Sequence, residues 1–129
     1  MSIFGNIFGS ADHQSQNEME WNELTSVNQL ETISTESFQY PVLIFKHSTR
    51  CSVSRMALKQ FENHYSFNVE QIKPYFLDLL SYRDISHAVA DRFNVVHQSP
   101  QILLIKEGKC IFTSSHGEID AEDLKEKIQ

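Results

Sequence analysis

Two thiols, Cys51 and Cys110, are the only soft nucleophiles in the chain's 129 residues, and their settings differ. Cys51 follows the polar stretch His47-Ser48-Thr49-Arg50, directly after the apolar run Pro41-Val42-Leu43-Ile44-Phe45. Behind it, Val53, Met56, Ala57, Gln60 and Phe61 recur at steps of three and four, the spacing of one helical face. Cys51 is therefore expected where a buried strand hands over to a helix. Unpaired N–H groups and the positive end of the helix dipole favour a thiolate there. Charge points the same way: Lys46, Arg50, Arg55 and Lys59 fall between Pro41 and Phe61, and no Asp or Glu does. A chain of net charge −6 thus gathers cations around this cysteine. The bland alternative is an unreactive cysteine at a helix start.

Ser54 stands three positions after Cys51, where a dithiol oxidoreductase carries its second cysteine. A serine can hydrogen-bond a thiolate, but it cannot attack a mixed disulfide and close an internal one. The chemistry expected is monothiol exchange, in which Cys51 takes up a thiol partner and hands it to another thiol. Ser99-Pro100, about fifty residues on and just before the apolar run Gln101-Ile102-Leu103-Leu104-Ile105, is the third feature. A cis X-Pro bond marks a constrained turn, and one here would bring the Ser99 backbone beside the sulfur; a trans proline opening an edge strand is the alternative. The six histidines invite a metal reading, but a transition-metal site wants three or four ligands held close together. His47 and His97 are better placed to line a thiol pocket. Cys110, between Lys109 and Ile111, reads as a small core residue rather than a resolving thiol.

The elements that must position these groups follow from periodicity. A first helix is expected from Ser26, with Ser26 and Gln29 as a capping box and Val27, Leu30 and Ile33 on its inner face. Pro41–Phe45 reads as a strand buried on both faces, followed by the helix after Cys51. Tyr75–Leu80 is a second strand. Asp84 caps a helix with Ile85, Ala88, Val89 and Phe93 on one side. Residues 101–105 and 110–113 flank Lys106-Glu107-Gly108-Lys109, a hairpin with Gly108 supplying positive φ. Asp120 caps a last helix, with Ile119 and Leu124 as a hydrophobic staple. The order α-β-α-β-α-β-β-α requires a parallel crossover and an antiparallel pair. The fold class expected is α/β, a thioredoxin-like fold with a central mixed β-sheet flanked by helices on both faces.

Length suits one domain over residues 21–129, preceded by a loosely ordered arm over residues 1–20. In that arm Ile3, Phe4, Ile7 and Phe8 fit one helical face, but the segment is too short for a stable helix alone. Eleven basic against seventeen acidic residues argue against nucleic acid as the main partner. No apolar run approaches the roughly 20 residues that span a bilayer, and the first residues lack the layout of a signal peptide. The expected location is the cytoplasm, with no membrane partner.

The chain resembles the YtxJ-like monothiol bacilliredoxins of the bacillithiol system from Trp21 to the final helix. The resemblance rests on Phe45-Lys46-His47-Ser48-Thr49-Arg50-Cys51 with Ser54, on His97-Gln98-Ser99-Pro100-Gln101, on Leu103-Leu104-Ile105-Lys106 with Gly108-Lys109, and on Ser115-His116. Ser52 departs from the pattern, where the family usually has proline. The resemblance implies a thioredoxin fold and Cys51 as the catalytic thiol that attacks protein–bacillithiol mixed disulfides. Lys46, His47, Thr49, Arg50, Ser54, His97, Ser99 and Pro100 are the candidate thiol-pocket and substrate-binding residues. Bacillithiol is then the cosubstrate, S-bacillithiolated proteins are the partners, and no cofactor is bound tightly and no metal is held. Bacillithiol carries malate carboxylates, which the local cations could attract. The competing reading is a non-catalytic thioredoxin-fold interaction module with an incidental cysteine.

Overall fold

The computed structural model describes residues 19–128. The expected arm lies outside the described residues, apart from Met19 and Glu20. Among the described residues five strands form one sheet: β1 (Asn22–Glu23), β2 (Val42–His47), β3 (Lys73–Asp78), β4 (Gln101–Lys106) and β5 (Lys109–Ser115). Their spatial order is β1-β3-β2-β4-β5. β3 runs parallel to both β1 and β2, and β4 runs antiparallel to β2 and β5. The helices are α1 (Gln29–Glu36), α2 (Ser52–His64), α3 (Arg83–Phe93) and α4 (Leu124–Lys127), with short 3₁₀ turns at His116–Glu118 and Ala121–Asp123.

All six residues of β2 are buried, because the central strand is covered on both faces. Alternation along the strand sorts its side chains. Val42 and Ile44 pack with Leu30, Ile33, Ile85, Val89 and Phe93, under α1 and α3. Leu43 and Phe45 pack with Phe61, Ile119 and Leu124, under α2 and α4. The same alternation sends Lys46 toward α3 and His47 toward α2, a division that governs the site.

Several elements depart from expectation. β1 precedes the first helix and is only two residues long, too short to show as periodicity. Strand β3 starts at Lys73 and ends at Asp78, earlier than expected. The first helix starts at Gln29, not Ser26: the Gln29 side chain does reach back to the N–H groups of Thr25 and Ser26 at 2.7 and 2.9 Å, but Val27 is in the preceding turn and exposed. Asp84 sits inside the first turn of α3, and Tyr82 is the cap residue. In α2 the inner face is Ser54, Ala57, Leu58 and Phe61, whereas Val53 and Met56 are exposed. The hairpin turn has positive φ at both Glu107 (54°) and Gly108 (79°), the two left-handed residues of a type I′ turn. Asp120 caps as expected, its carboxylate accepting from the Glu122 N–H at 3.0 Å, and Ile119 and Leu124 are both buried in one cluster.

Candidate functional site

After His47 the chain turns through Ser48, Thr49 and Arg50 and enters α2 at Cys51. Cys51 is the N-cap residue, extended at φ −102° and ψ 122°, and half-buried. Its N–H donates to Ser48 O at 3.2 Å, and its carbonyl accepts the first helical bond, from Arg55 N, at 3.0 Å. The N–H groups of the first helical turn therefore have no helical partners at the end where the thiol stands. No acidic residue lies in that turn. Arg55 folds back, donating from Nη1 to Thr49 O at 3.2 Å, which ties the loop to the helix and leaves Arg50 exposed beside the cysteine.

Ser54 is fully buried. Its Oγ lies 2.8 Å from His47 Nδ1 and accepts from the Ser48 N–H at 3.0 Å. These two contacts tie Ser54 to the loop and to His47. It serves as a brace under the thiol loop. Burial lowers the pKa of His47; Asp78, opposite it on β3, opposes that shift, and Arg55 adds to it.

Lys46 corrects the picture of an exposed basic surround. Its side chain is 0% exposed, and its ammonium reaches Ser86 O at 3.3 Å and His97 Nδ1 at 3.2 Å. Burial pulls its pKa down to about 8. The free surface charge near Cys51 thus comes from Arg50, Arg55 and Lys59. The fold also brings Asp78 to the site, so the absence of acids from residues 41–61 does not extend to three dimensions.

The Ser99–Pro100 peptide bond is cis. Lys46 on β2 pairs with Gln101 on β4, so the 97–100 loop and the Ser48–Cys51 loop leave the same end of the sheet. Gln101 is buried and clasps that loop: its amide donates to Val96 O at 3.0 Å and Thr113 Oγ1 at 3.3 Å, and its carbonyl accepts from Gln98 N at 3.3 Å. His116, at φ 56°, donates its N–H to Pro100 O at 3.1 Å. A groove of about 250 Å³ runs between Val53, Met56 and Gln60 of α2 and the His116–Gly117 turn.

The family comparison gives this end of the sheet its context. Residues 22–124 match the family model of the monothiol bacilliredoxin BrxC. The chain belongs to that family. Among solved structures, it resembles a thioredoxin-fold protein described as a candidate oxidoreductase, with 28% identity and a TM-score of 0.69, over 83% of this chain and 92% of the other. Thioredoxin from Malassezia sympodialis aligns at 19% identity and a TM-score of 0.64, over 84% and 88% of the two chains. That from Trypanosoma brucei brucei aligns at 16% and 0.61, over 84% and 87%. The latter two establish the thioredoxin fold. Family and neighbours together place this bacilliredoxin among thiol oxidoreductases.

Cys110 of the bacilliredoxin is remote from this end. It pairs with Ile105, which pairs with Val42 at the start of β2, whereas Cys51 lies past the far end of that strand. Five strand steps put about 16 Å between the two ends. Its thiol donates to Phe112 O at 3.3 Å and packs on the α1–α3 core, and burial pushes its pKa up. Among the described residues no cluster of His, Cys, Asp or Glu could hold a metal ion, and no helix is long and apolar enough to cross a membrane.

Three site residues were not singled out from the sequence: Asp78, Ser86 and Gln101. Gln101 did carry a signal, as a polar residue at the start of an apolar strand run, and Asp78 did as the one charge inside Tyr75–Leu80. Ser86 carried none, since its carbonyl and hydroxyl meet Lys46 and His97 only through the packing of α3 on the sheet.

Proposed function

We propose that this protein is a bacilliredoxin of the YtxJ-like kind, which removes bacillithiol from S-bacillithiolated proteins in the cytoplasm through Cys51. The Cys51 thiolate attacks the bacillithiol sulfur of a protein–bacillithiol disulfide. That S–S bond breaks, the protein leaves as a thiolate that takes a proton from water, and a Cys51–bacillithiol disulfide forms. A free bacillithiol thiolate then attacks the bacillithiol sulfur of this adduct, releasing Cys51 as thiolate and bacillithiol disulfide as product. Arg50, with Arg55 and Lys59 behind it, attracts the carboxylates of the small thiol. Thr49, Ser99 and Pro100 shape the approach to the sulfur, and Ser54, His47, Lys46 and His97 hold the two loops.

The observation that carries this reading is the pairing of a half-exposed N-cap cysteine with a buried Ser54 at the resolving position. No second thiol is within reach among the described residues, so the adduct must wait for a thiol from solution. The test is turnover: a bacillithiolated protein is incubated with this chain and excess bacillithiol, and release of the substrate thiol is followed. Catalysed release that is lost in Cys51→Ala and kept in Cys110→Ser supports the proposal. Release no faster than with bacillithiol alone would overturn it.

A further inference from the structure

Lys46 is a buried cation with no carboxylate partner among the described residues. A buried charge normally has one, and here the ammonium contacts only Ser86 O and His97 Nδ1 among the described residues. An ammonium donates and never accepts. His97 Nδ1 must therefore accept from it, which puts the ring's proton on Nε2. Ser86 Oγ, 3.4 Å from the same Nδ1, can only add a second donor to that nitrogen. Protonating the ring would set N–H against the ammonium, and His97 is accordingly held below its ordinary pKa, by burial first and then by Lys46 and His87. Those two, Lys46 from β2 and His87 from α3, are the titratable groups that face it.

His97 is nonetheless exposed. It stands two residues before Ser99, on the loop that leaves the same end of the sheet as the cysteine loop. Its inner nitrogen is occupied, and its Nε2–H has no partner among the described residues.

We propose that Lys46 is a positioning residue, which fixes His97 as the neutral Nε2–H tautomer so that this N–H donates to an acceptor oxygen of the bound disulfide. The oxygen belongs either to a carboxylate of the small thiol or to a peptide carbonyl beside the target cysteine. The substrate half of this inference rests on the disulfide-exchange function above; the tautomer half does not.

Long-range ¹H–¹⁵N spectra of the full-length protein at pH 7 read the tautomer directly. The expected wild-type result is a pyridine-like Nδ1 and a protonated Nε2 on His97. In Lys46→Met, checked for folding by its melting curve, that signature shifts toward a tautomer mixture. Exchange rates complete the test. Lys46→Met and His97→Ala should each lower kcat/KM about fivefold, the scale of one lost hydrogen bond. Their double variant should be no slower than either, because Lys46 acts through His97, and His97→Gln, which keeps a donor near Nε2, should recover part of the loss. A loss seen with both oxidised bacillithiol and a bacillithiolated peptide places the oxygen on the small thiol; a loss with the peptide alone places it on the peptide. A wild-type Nδ1–H tautomer, or fully additive losses in the double variant, would overturn the inference. If Cys51 accepts no bacillithiol, the rate arm falls silent while the spectra still decide the Lys46–His97 pairing.

Discussion

At the residue scale, the account turns on what Ser54 does beneath Cys51. The sequence shows a serine where a resolving cysteine could stand, and that alone removes the internal disulfide. It does not show where the hydroxyl points, because the partner nitrogen of His47 and the Ser48 N–H are brought in by the turn between β2 and α2. Ser54→Ala orphans both groups in a buried site and is expected to cost about 1–3 kcal/mol, readable as a lower denaturation midpoint. Ser54→Cys makes the opposite test. Oxidised bacillithiol should then leave the chain with an internal disulfide, seen by intact mass as loss of two hydrogens rather than an adduct. His47 supplies a pH prediction. Its folded pKa lies below its unfolded value near 6.5, so the unfolded chain binds more protons as pH falls through that value. Stability is therefore fully present above about pH 6.5 and declines below it. Urea unfolding at pH 7.5 and 5.5 should show the decline, and His47→Leu should flatten it.

At the element scale, the strand-to-helix junction was legible because β2 is a continuous apolar run and α2 begins at a cysteine with no acid nearby. The inner face of α2 was not. Val53 and Met56 fit the helical spacing but face solvent, and the face is set instead by Ser54 and Phe61, since a serine with two hydrogen-bond partners can occupy a core position. The two-residue β1 escaped notice because its place depends on pairing with β3. Lys46 misled for a related reason: a lysine at the end of a strand reads as surface charge unless the His97 loop that covers it is known. The hairpin between β4 and β5 was legible from Glu107-Gly108. It is docked on α1, with Glu107 N donating to Ser37 O and Gly108 N to Ser37 Oγ, both at 2.8 Å. An added Cβ at Gly108 would lie 3.4 Å from the Phe38 ring at a φ of +79°. Gly108→Ala should destabilise by about 1 kcal/mol or more, and Glu107→Asn should stabilise slightly, since asparagine tolerates the left-handed region better. Both lie at the far end of the sheet from Cys51, so exchange rates should be unchanged; thermal melts alongside a turnover assay check the pair.

At the scale of the whole molecule, charge and position act together. A chain of net −6 repels an anionic thiol at long range, and under the proposed function the exposed arginines at the α2 start are its local route in. Exchange with bacillithiol should slow as salt is raised, because screening weakens such steering. Arg50→Gln should lower the rate and flatten its salt dependence; an unchanged salt profile would mean that the arginine does not steer. Cys110 on β5 lies level with the start of β2, and Cys51 lies past the other end of that strand at the head of α2, so under the proposed function Cys51 acts without a second thiol of its own chain.

That central claim is tested most directly by the mass of the intact protein after exposure to oxidised bacillithiol. The account predicts one bacillithiol per chain, carried on Cys51, absent in Cys51→Ala, unchanged in Cys110→Ser, and released by free bacillithiol. An unmodified chain, an adduct on Cys110, or a disulfide between Cys51 and Cys110 within one chain would contradict it.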